Sequence, residues 1–246
     1  GQASVAATDG YFDSFIGGAA EPVTFLAIFL FITAVVVFMG VEKGIEKASS
    51  LMMPLLVVLI IGVCVFCITR PGAMEGVKYY LLPDFSKFSA TTVLAAMGQL
   101  FYSMSLAMGI MITYGSYMKK DSNLETSVRQ IEIFDTAIAF LAGLLIVPSV
   151  FVFSGGDEAA LGKGPSLMFI TLPKVFNDMT MGGVIGAIFF LLVLFAALTS
   201  SISLMETNVS IIRDKLGWSR KKSTISITVY VLVVGSLVSL GFGPLS

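Results

Sequence analysis

Two clusters of hydroxyl side chains lie within apolar stretches of this sequence, where their oxygen atoms could bind a cation. One covers residues 102–105 (YSMS) and the other residues 199–201 (TSS). If the second stretch is helical, the carbonyl of Ala196 lies beside side chains 199 and 200, so three oxygens converge on one face. A small cation that has lost its water needs such oxygens. Hydroxyls at these positions also bond back to their own helix or join neighbouring helices, and both interpretations remain open.

Three carboxylates lie in or beside the apolar stretches, at Glu132, Asp135 and Glu206. Glu132 is most simply a solvated acid in the first turn of a helix. Asp135 lies one turn deeper, where an unpaired carboxylate is costly, so it is either an interfacial residue or an ion ligand. Glu206 is two turns beyond Thr199 and is a candidate functional residue whose partner the sequence does not identify.

The composition excludes a soluble globular enzyme. Of the 246 residues, 56% are hydrophobic and 13% are charged, against about a quarter charged in ordinary soluble domains. The net charge of −1 gives no basis for a nucleic-acid partner. Histidine is absent and no nucleophile–base pair emerges, so we predict that the chain is not an enzyme. Cys64 and Cys67 form a C-x-x-C in an apolar run and are predicted to be buried thiols.

Six charge-free runs, of 20 to 31 residues, are each long enough to cross a bilayer as a helix. Strand alternation is absent, so the sequence predicts an all-α, polytopic helical membrane protein that spans the cell membrane several times. The predicted spans are residues 22–41, 50–69, 91–117, 131–153, 183–212 and 223–242.

The loops between the runs predict the orientation. Ten of the fifteen Lys and Arg residues fall in alternate loops that include residues 43–47 and 213–222, which places these loops in the cytoplasm and residues 1–21 outside. The apolar stretch GPSLMFITLP is too short to cross, so residues 164–176 are predicted to form a re-entrant outer loop. Because the chain opens with Gly1 and stops at a span, we expect a piece of a longer protein.

The third run is the most informative. It has 31 residues, about ten more than a span needs, it contains Gly98, Gly109 and Gly115, and the first hydroxyl cluster lies at its midpoint. Long, glycine-interrupted spans in transporters tend to be broken helices whose freed backbone groups bind ligands. The sequence therefore predicts a broken helix over residues 91–117.

These segments resemble the neurotransmitter:sodium symporters. GQLFYSMSLAMGIMITYGSY, from Gly98 to Tyr117, is similar to the broken sixth helix of that family, and FDTAIAFLAGLLIVPSVF to its seventh. GVEKGIEKASSLMMPLL is similar to the link into the fifth helix, GPSLMFITLP to the outer capping loop, and LTSSISLMETNVSIIRD to the eighth helix. The resemblance implies part of a LeuT-type inverted-repeat transporter, of which this chain supplies the fourth through ninth helices.

The resemblance also implies sites. One sodium ion would be held by the carbonyl of Ala196 with Thr199 and Ser200, and another by Ser103 and Asp135. The implied inner gate involves Tyr117 and Asp214, which hold an N-terminal Arg in the family. Tyr102 stands where the family usually has a gating Phe. The implied substrate-binding residues are Tyr102, Ser103, Ser105, Met108, Ser200 and Leu204.

The function that the resemblance implies is sodium-coupled symport of amino acids or related small amines by alternating access. Chloride is not expected to be required, because Ala139 stands where chloride-dependent members have Ser. The expected partners are the amino-acid substrate, the lipid bilayer and the remaining helices of the same protein, and a homodimer is left open. The alternatives are a proton-coupled porter that uses Glu206 or Asp135, and a receptor or scaffold that has lost transport.

Overall fold

The computed structural model describes residue 8 and residues 10–154, 167–178 and 181–244, and no strand occurs among them. Short π-helical segments, Val41–Glu46 and Leu167–Thr171, precede α3 and α8, and 3-10 turns cover Phe85–Lys87 and Leu106–Met108. The α-helices in chain order are α1 (Tyr11–Ile16), α2 (Ala20–Phe38), α3 (Lys47–Ile68), α4 (Ala73–Leu81), α5 (Ala90–Ser103), α6 (Ile110–Tyr117), α7 (Leu124–Phe153), α8 (Leu172–Asp178), α9 (Gly182–Leu216) and α10 (Arg220–Leu240).

Five helices of the described part are long and apolar enough to cross a bilayer: α2, α3 with its preceding π-helical segment, α7, α9 and α10. Many of their large apolar side chains are exposed, including Phe31 at 67% and Leu51 at 72%. Apolar exposure on this scale suits a hydrocarbon environment, where backbone groups must be satisfied within each helix. The predicted all-helical, polytopic membrane fold is confirmed.

The predicted third span is interrupted, as expected. α5 ends at Ser103 and α6 begins at Ile110, so neither half is long enough to cross alone. Of the predicted outer loop at 164–176, residues 164–166 lie outside the described residues. The remainder forms the π-helical segment and most of α8.

Two long helices extend past their predicted spans. α7 begins at Leu124 rather than residue 131, and α9 continues to Leu216 rather than residue 212. The added turns carry charged residues such as Glu125 and Arg213. Charge-free runs locate the apolar part of a helix, whereas its backbone hydrogen bonds continue into water without needing apolar side chains.

The chain divides into two compact units. The first contains residues 1–56 and 168–246, and the second contains residues 57–167. In the first unit α2, α9 and α10 pack together through buried residues that recur every three or four positions, as a helical face requires. These residues are Leu30, Thr33 and Val37 of α2, Leu198, Ile202, Met205 and Val209 of α9, and Ile227 of α10.

In the second unit α4 packs along α7. The approach is so close that a Cβ added to Gly143 would overlap the Tyr80 ring, and one added to Gly76 would lie 2.6 Å from the backbone of Pro148. The Tyr80 and Phe140 rings add an aromatic contact, with centroids 5.8 Å apart. Cys64 and Cys67 of α3 are free and buried, which confirms the prediction for them.

Candidate functional site

The segment between α5 and α6 departs from helical geometry at the hydroxyl cluster. The helical hydrogen-bond pattern ends with Met104 N–H on the Leu100 carbonyl and resumes with Thr113 N–H on the Gly109 carbonyl. Ser105 has a positive φ of 56°, which is uncommon for a residue other than glycine, and Gly109 has a φ of 74°. Backbone strain of this kind concentrates at functional sites.

Ser103 and Asp135 come together in the second unit. The Ser103 hydroxyl donates a hydrogen bond of 2.6 Å to Oδ1 of Asp135, across 32 residues of sequence. Ser103 is the last residue of α5 and Asp135 is in α7, so the bond joins the edge of the break to the neighbouring helix. The arrangement offers a cation one carboxylate and one hydroxyl oxygen, a set suited to a hard ion.

The oxygens of α9 converge as the helical spacing predicts. The Thr199 hydroxyl lies 3.0 Å from the carbonyl oxygen of Ala196 and the Ser200 hydroxyl lies 3.1 Å from the same oxygen. Both hydroxyls donate to that carbonyl in this structure. The lone pairs of both hydroxyl oxygens are therefore available to a cation placed beside the three oxygens. The carbonyl oxygen becomes available as well when the two hydroxyl protons rotate away from it.

Back-bonding hydroxyls are common along α9, so this geometry is not specific to ion binding. Ser203 donates to the Thr199 carbonyl and Thr207 donates to the Ser203 carbonyl, at 3.0 and 2.9 Å. Ser201 likewise donates to the Leu198 carbonyl at 3.1 Å, but its hydroxyl also lies 2.8 Å from that of Thr33 in α2 and so joins two helices. Within the TSS cluster the hydroxyls therefore bond back to their own helix and also reach a neighbouring helix, and the proposed cation site stays a prediction.

The predicted substrate residues lie on surfaces that their own units leave uncovered. In the first unit Ser200 and Leu204 are exposed, on the side of α9 away from its buried residues Ile202 and Val209. In the second unit Tyr102 is 67% exposed, and Ser105 and Met108 are half-buried in the interrupted segment.

Glu206 has a partner that the sequence did not reveal. Its carboxylate is fully buried in the first unit and accepts two hydrogen bonds of 2.7 Å from the two terminal nitrogens of Arg220. Arg220 Nη1 also donates to the Val37 carbonyl at 3.0 Å. One guanidinium therefore ties the end of α2 to α9 and α10, and it compensates a carboxylate that would otherwise be costly to bury.

No spacing rule points to this pair. Glu206 lies ten residues before the end of α9, while Arg220 is the first residue of α10, after a loop of three residues. Side-by-side antiparallel helices would bring Arg220 near the end of α9, about 15 Å from Glu206. Only the reach of the Arg side chain and the position of α10 beside α2 bring the two together.

The predicted gate residues lie at helix ends in separate units. Asp214 is exposed in the last turn of α9, and Tyr117 is the last residue of α6. The Tyr117 ring contacts the Tyr114 ring edge to face, with centroids 6.4 Å apart. The N-terminal Arg that the resemblance implies for this gate is not among the residues of this chain.

An interrupted helix and oxygen clusters at mid-run are typical of helical secondary transporters. The model of the Sodium:neurotransmitter symporter family matches residues 15–243. The chain belongs to this family, which confirms the resemblance. Family members are transporters rather than enzymes, so the prediction that the chain is not an enzyme is also confirmed.

Individual relatives agree with this assignment. The chain is 36% identical over 235 residues to an uncharacterized sodium-dependent transporter of Bacillus subtilis, covering 96% of this chain and 51% of the relative. It is 35% identical over 231 residues to another from Haemophilus influenzae, covering 94% and 50%. The crystal structure of MhsT in complex with L-phenylalanine matches with a TM-score of 0.83 and 39% identity, covering 95% of this chain and 52% of MhsT. The chain thus spans about half the length of the curated relatives it matches.

Proposed function

We propose that this protein carries out sodium-coupled symport of an amino acid by alternating access. The observation that carries the proposal is the match of residues 15–243 to the Sodium:neurotransmitter symporter family, and the Ala196 carbonyl with the Thr199 and Ser200 hydroxyls supplies oxygens that suit a sodium ion. We assign these oxygens to one sodium ion, and Ser103 with Asp135 to a second. An amino-acid substrate is supported by the relative MhsT, whose crystal structure contains L-phenylalanine.

The remaining roles follow the same proposal. In the second unit Tyr102, Ser103, Ser105 and Met108 bind substrate, and in the first unit Ser200 and Leu204 do so. Each bound sodium ion lowers the free energy of the substrate-occupied closed state, and rocking of one helix bundle then exposes the site to the cytoplasm. Tyr117 and Asp214 act in the inner gate.

Proton coupling through Glu206 is disfavoured by the Arg220 contact. Both carboxylate oxygens of Glu206 accept hydrogen bonds from the Arg220 guanidinium, so the carboxylate is already engaged in an ion pair that joins helices. We therefore assign Glu206 to structural support of the helices rather than to coupling.

Uptake assays test the proposal directly. The protein is expressed from its complete reading frame and reconstituted into proteoliposomes, and uptake of labelled L-phenylalanine and other amino acids is measured with inward sodium or potassium gradients. Uptake that requires the sodium gradient supports symport. Uptake driven by a proton gradient without sodium would instead indicate a porter, and ligand binding without uptake would indicate a receptor or scaffold.

Chloride provides a separate prediction. The Asp135 side chain supplies negative charge beside the proposed sodium ion, so uptake should be unchanged when gluconate replaces chloride. Ala139 lies one turn further along α7, where chloride-dependent members have Ser. The Asp135→Asn and Ala139→Ser double variant should require chloride, with Ala139→Ser alone as the matched control. The same anion response in the double variant and the parent protein would contradict the assignment.

A further inference from the structure

An apolar groove lies between α2 and α10 in the first unit. It encloses about 290 Å³, and its walls include Phe31, Ala34, Val35 and Phe38 of α2 with Ile225 and Val229 of α10. The two helices contact each other on one side of the groove, where Arg220 bonds the Val37 carbonyl. The groove is therefore formed by two helices that pack directly against each other.

The groove faces outward from helices that cross the bilayer. Phe31 is 67% exposed, Ile225 is 57% exposed and Val229 is 56% exposed. These residues lie in the C-terminal half of α2 and the N-terminal half of α10, beside the loop that the Lys and Arg distribution places in the cytoplasm. The groove consequently opens at the depth of the cytoplasmic leaflet.

Positive charge lies at the cytoplasmic end of the groove. The ammonium of Lys221 lies 5.7 Å from the ring centroid of Phe38, which forms part of the wall. Lys222 lies 3.9 Å from the ring centroid of Trp218, a residue type typical of the membrane interface. Residues 213–222 contain five basic side chains and one acidic side chain. Such a segment attracts anionic lipid headgroups.

A polar group in the wall has no partner. Thr224 lines the groove and is 1% exposed, and its hydroxyl has no hydrogen-bond partner among the described residues. An unpartnered buried hydroxyl is costly. Because that oxygen is covered by protein, an occupant of the groove would contact the carbon atoms of Thr224 and not its hydroxyl.

We propose that this groove binds an anionic phospholipid of the cytoplasmic leaflet, with an acyl chain between α2 and α10 and the phosphate beside Lys221. The apolar walls match the chain, and the basic end matches the phosphate. The volume is close to the lower end of the range of about 300–1,000 Å³ for ligand pockets, which suits one acyl chain better than a bulky molecule.

The experiment uses the protein expressed from its complete reading frame in nanodiscs that contain a diazirine-labelled phosphatidylglycerol or the matching phosphatidylcholine. After irradiation, lipid adducts are located by mass spectrometry of peptides. Phosphatidylglycerol adducts are expected on the α2 segment 31–39 and the α10 segment 224–229, in excess over phosphatidylcholine adducts. If neither segment carries adducts, the proposal is overturned. This holds also when another part of the protein covers the groove and excludes the probe.

Two variants separate the chain from the headgroup. Ala34→Phe fills the groove and should remove most adducts of both lipids, whereas Val238→Phe, at an exposed position of α10 outside the groove, should not. Lys221→Gln should reduce the preference for phosphatidylglycerol about fivefold, because one basic residue near an anionic surface contributes about 1 kcal/mol. Lys215→Gln is the matched charge control. An unchanged lipid preference in Lys221→Gln would refute the headgroup contact even if Ala34→Phe did not fold.

Discussion

At the residue scale, three adjacent hydroxyls of α9 have different surroundings. Thr199 and Ser200 donate to the Ala196 carbonyl, whereas Ser201 contacts Thr33 of α2 at 2.8 Å. Only the first two lie next to a carbonyl oxygen that they share. The third contributes to helix packing, so the chain itself supplies a control for the proposed sodium site.

Removal of one hydroxyl should therefore separate ion binding from packing. Thr199→Ala and Ser200→Ala each remove one oxygen, which is worth about 1.5–3 kcal/mol when it contacts a charge, or roughly tenfold or more in affinity. Both variants should raise the sodium concentration for half-maximal uptake in proteoliposomes by about that factor. Ser201→Ala should lower thermal stability and leave sodium dependence as it is. Equal sodium responses in all three variants would exclude this site.

The positions of the membrane carboxylates are evident from the sequence, but the partner of one of them is not. Asp135 and Ser103 were predicted to act together from a family resemblance, and the structure brings them within 2.6 Å. Glu206 was singled out for its depth alone, and its partner Arg220 depends on where α10 lies relative to α2 and α9. That placement is a property of packing among three helices, which no local spacing encodes.

At the element scale, the interrupted helix was predictable because its signals are local. A run much longer than a bilayer requires, with glycines and a hydroxyl pair near its centre, already indicates a break. The positive φ of Ser105 was not predictable, since Ser rarely adopts it and the surrounding structure must impose it. The π-helical segment at Val41–Glu46 likewise has no sequence signature that we can name.

The Glu206–Arg220 pair gives a prediction for the contact among α2, α9 and α10. Arg220→Ala removes both guanidinium hydrogen bonds from the buried Glu206 carboxylate, and it should destabilise the protein by about 3–5 kcal/mol. A double variant, Glu206→Leu with Arg220→Leu, should be less destabilised, since it buries no charge. Thermal unfolding in detergent measures both. The control is Lys222→Ala, an exposed position in the same turn of α10, which should shift the unfolding midpoint little. An equally small shift of the midpoint in Arg220→Ala would contradict the role given to the pair.

The close packing of α4 on α7 gives a second element-scale prediction. Gly143→Ala places a methyl group within the Tyr80 ring volume, so the Tyr80 ring or α4 must shift, at about 1–3 kcal/mol. Gly62→Ala is the matched control, because it lies inside α3 with no atom within 4 Å of the added Cβ. That control should be neutral or stabilising, as Ala favours a helix over Gly. Thermal unfolding of the two variants, measured in parallel, tests this prediction. If the Gly143→Ala protein is as stable as the parent protein, the contact between α4 and α7 is not closely packed.

At the scale of the whole molecule, the distribution of charge and the family agree on a protein that crosses the membrane several times. Ten of fifteen basic residues lie in alternate loops, and five helices of the described part can each span a bilayer. The two compact units each carry part of the predicted site residues, with the Ala196 oxygen cluster in one and the Ser103–Asp135 contact in the other. Local oxygen geometry was predictable from helical spacing, whereas the division into units was not.

The buried Glu206–Arg220 contact also bears on how the chain enters the membrane during synthesis. Glu206 is made fourteen residues before Arg220, so α9 reaches the membrane before the guanidinium that pairs with its buried carboxylate has been made. Stable insertion of α9 should then await α10, and the two helices should enter the bilayer together as a hairpin. In translocation assays on ribosome-bound nascent chains, the α9 segment should resist carbonate extraction only once α10 has emerged. Glu206→Leu should remove that delay, so that α9 resists carbonate extraction before α10 has been made.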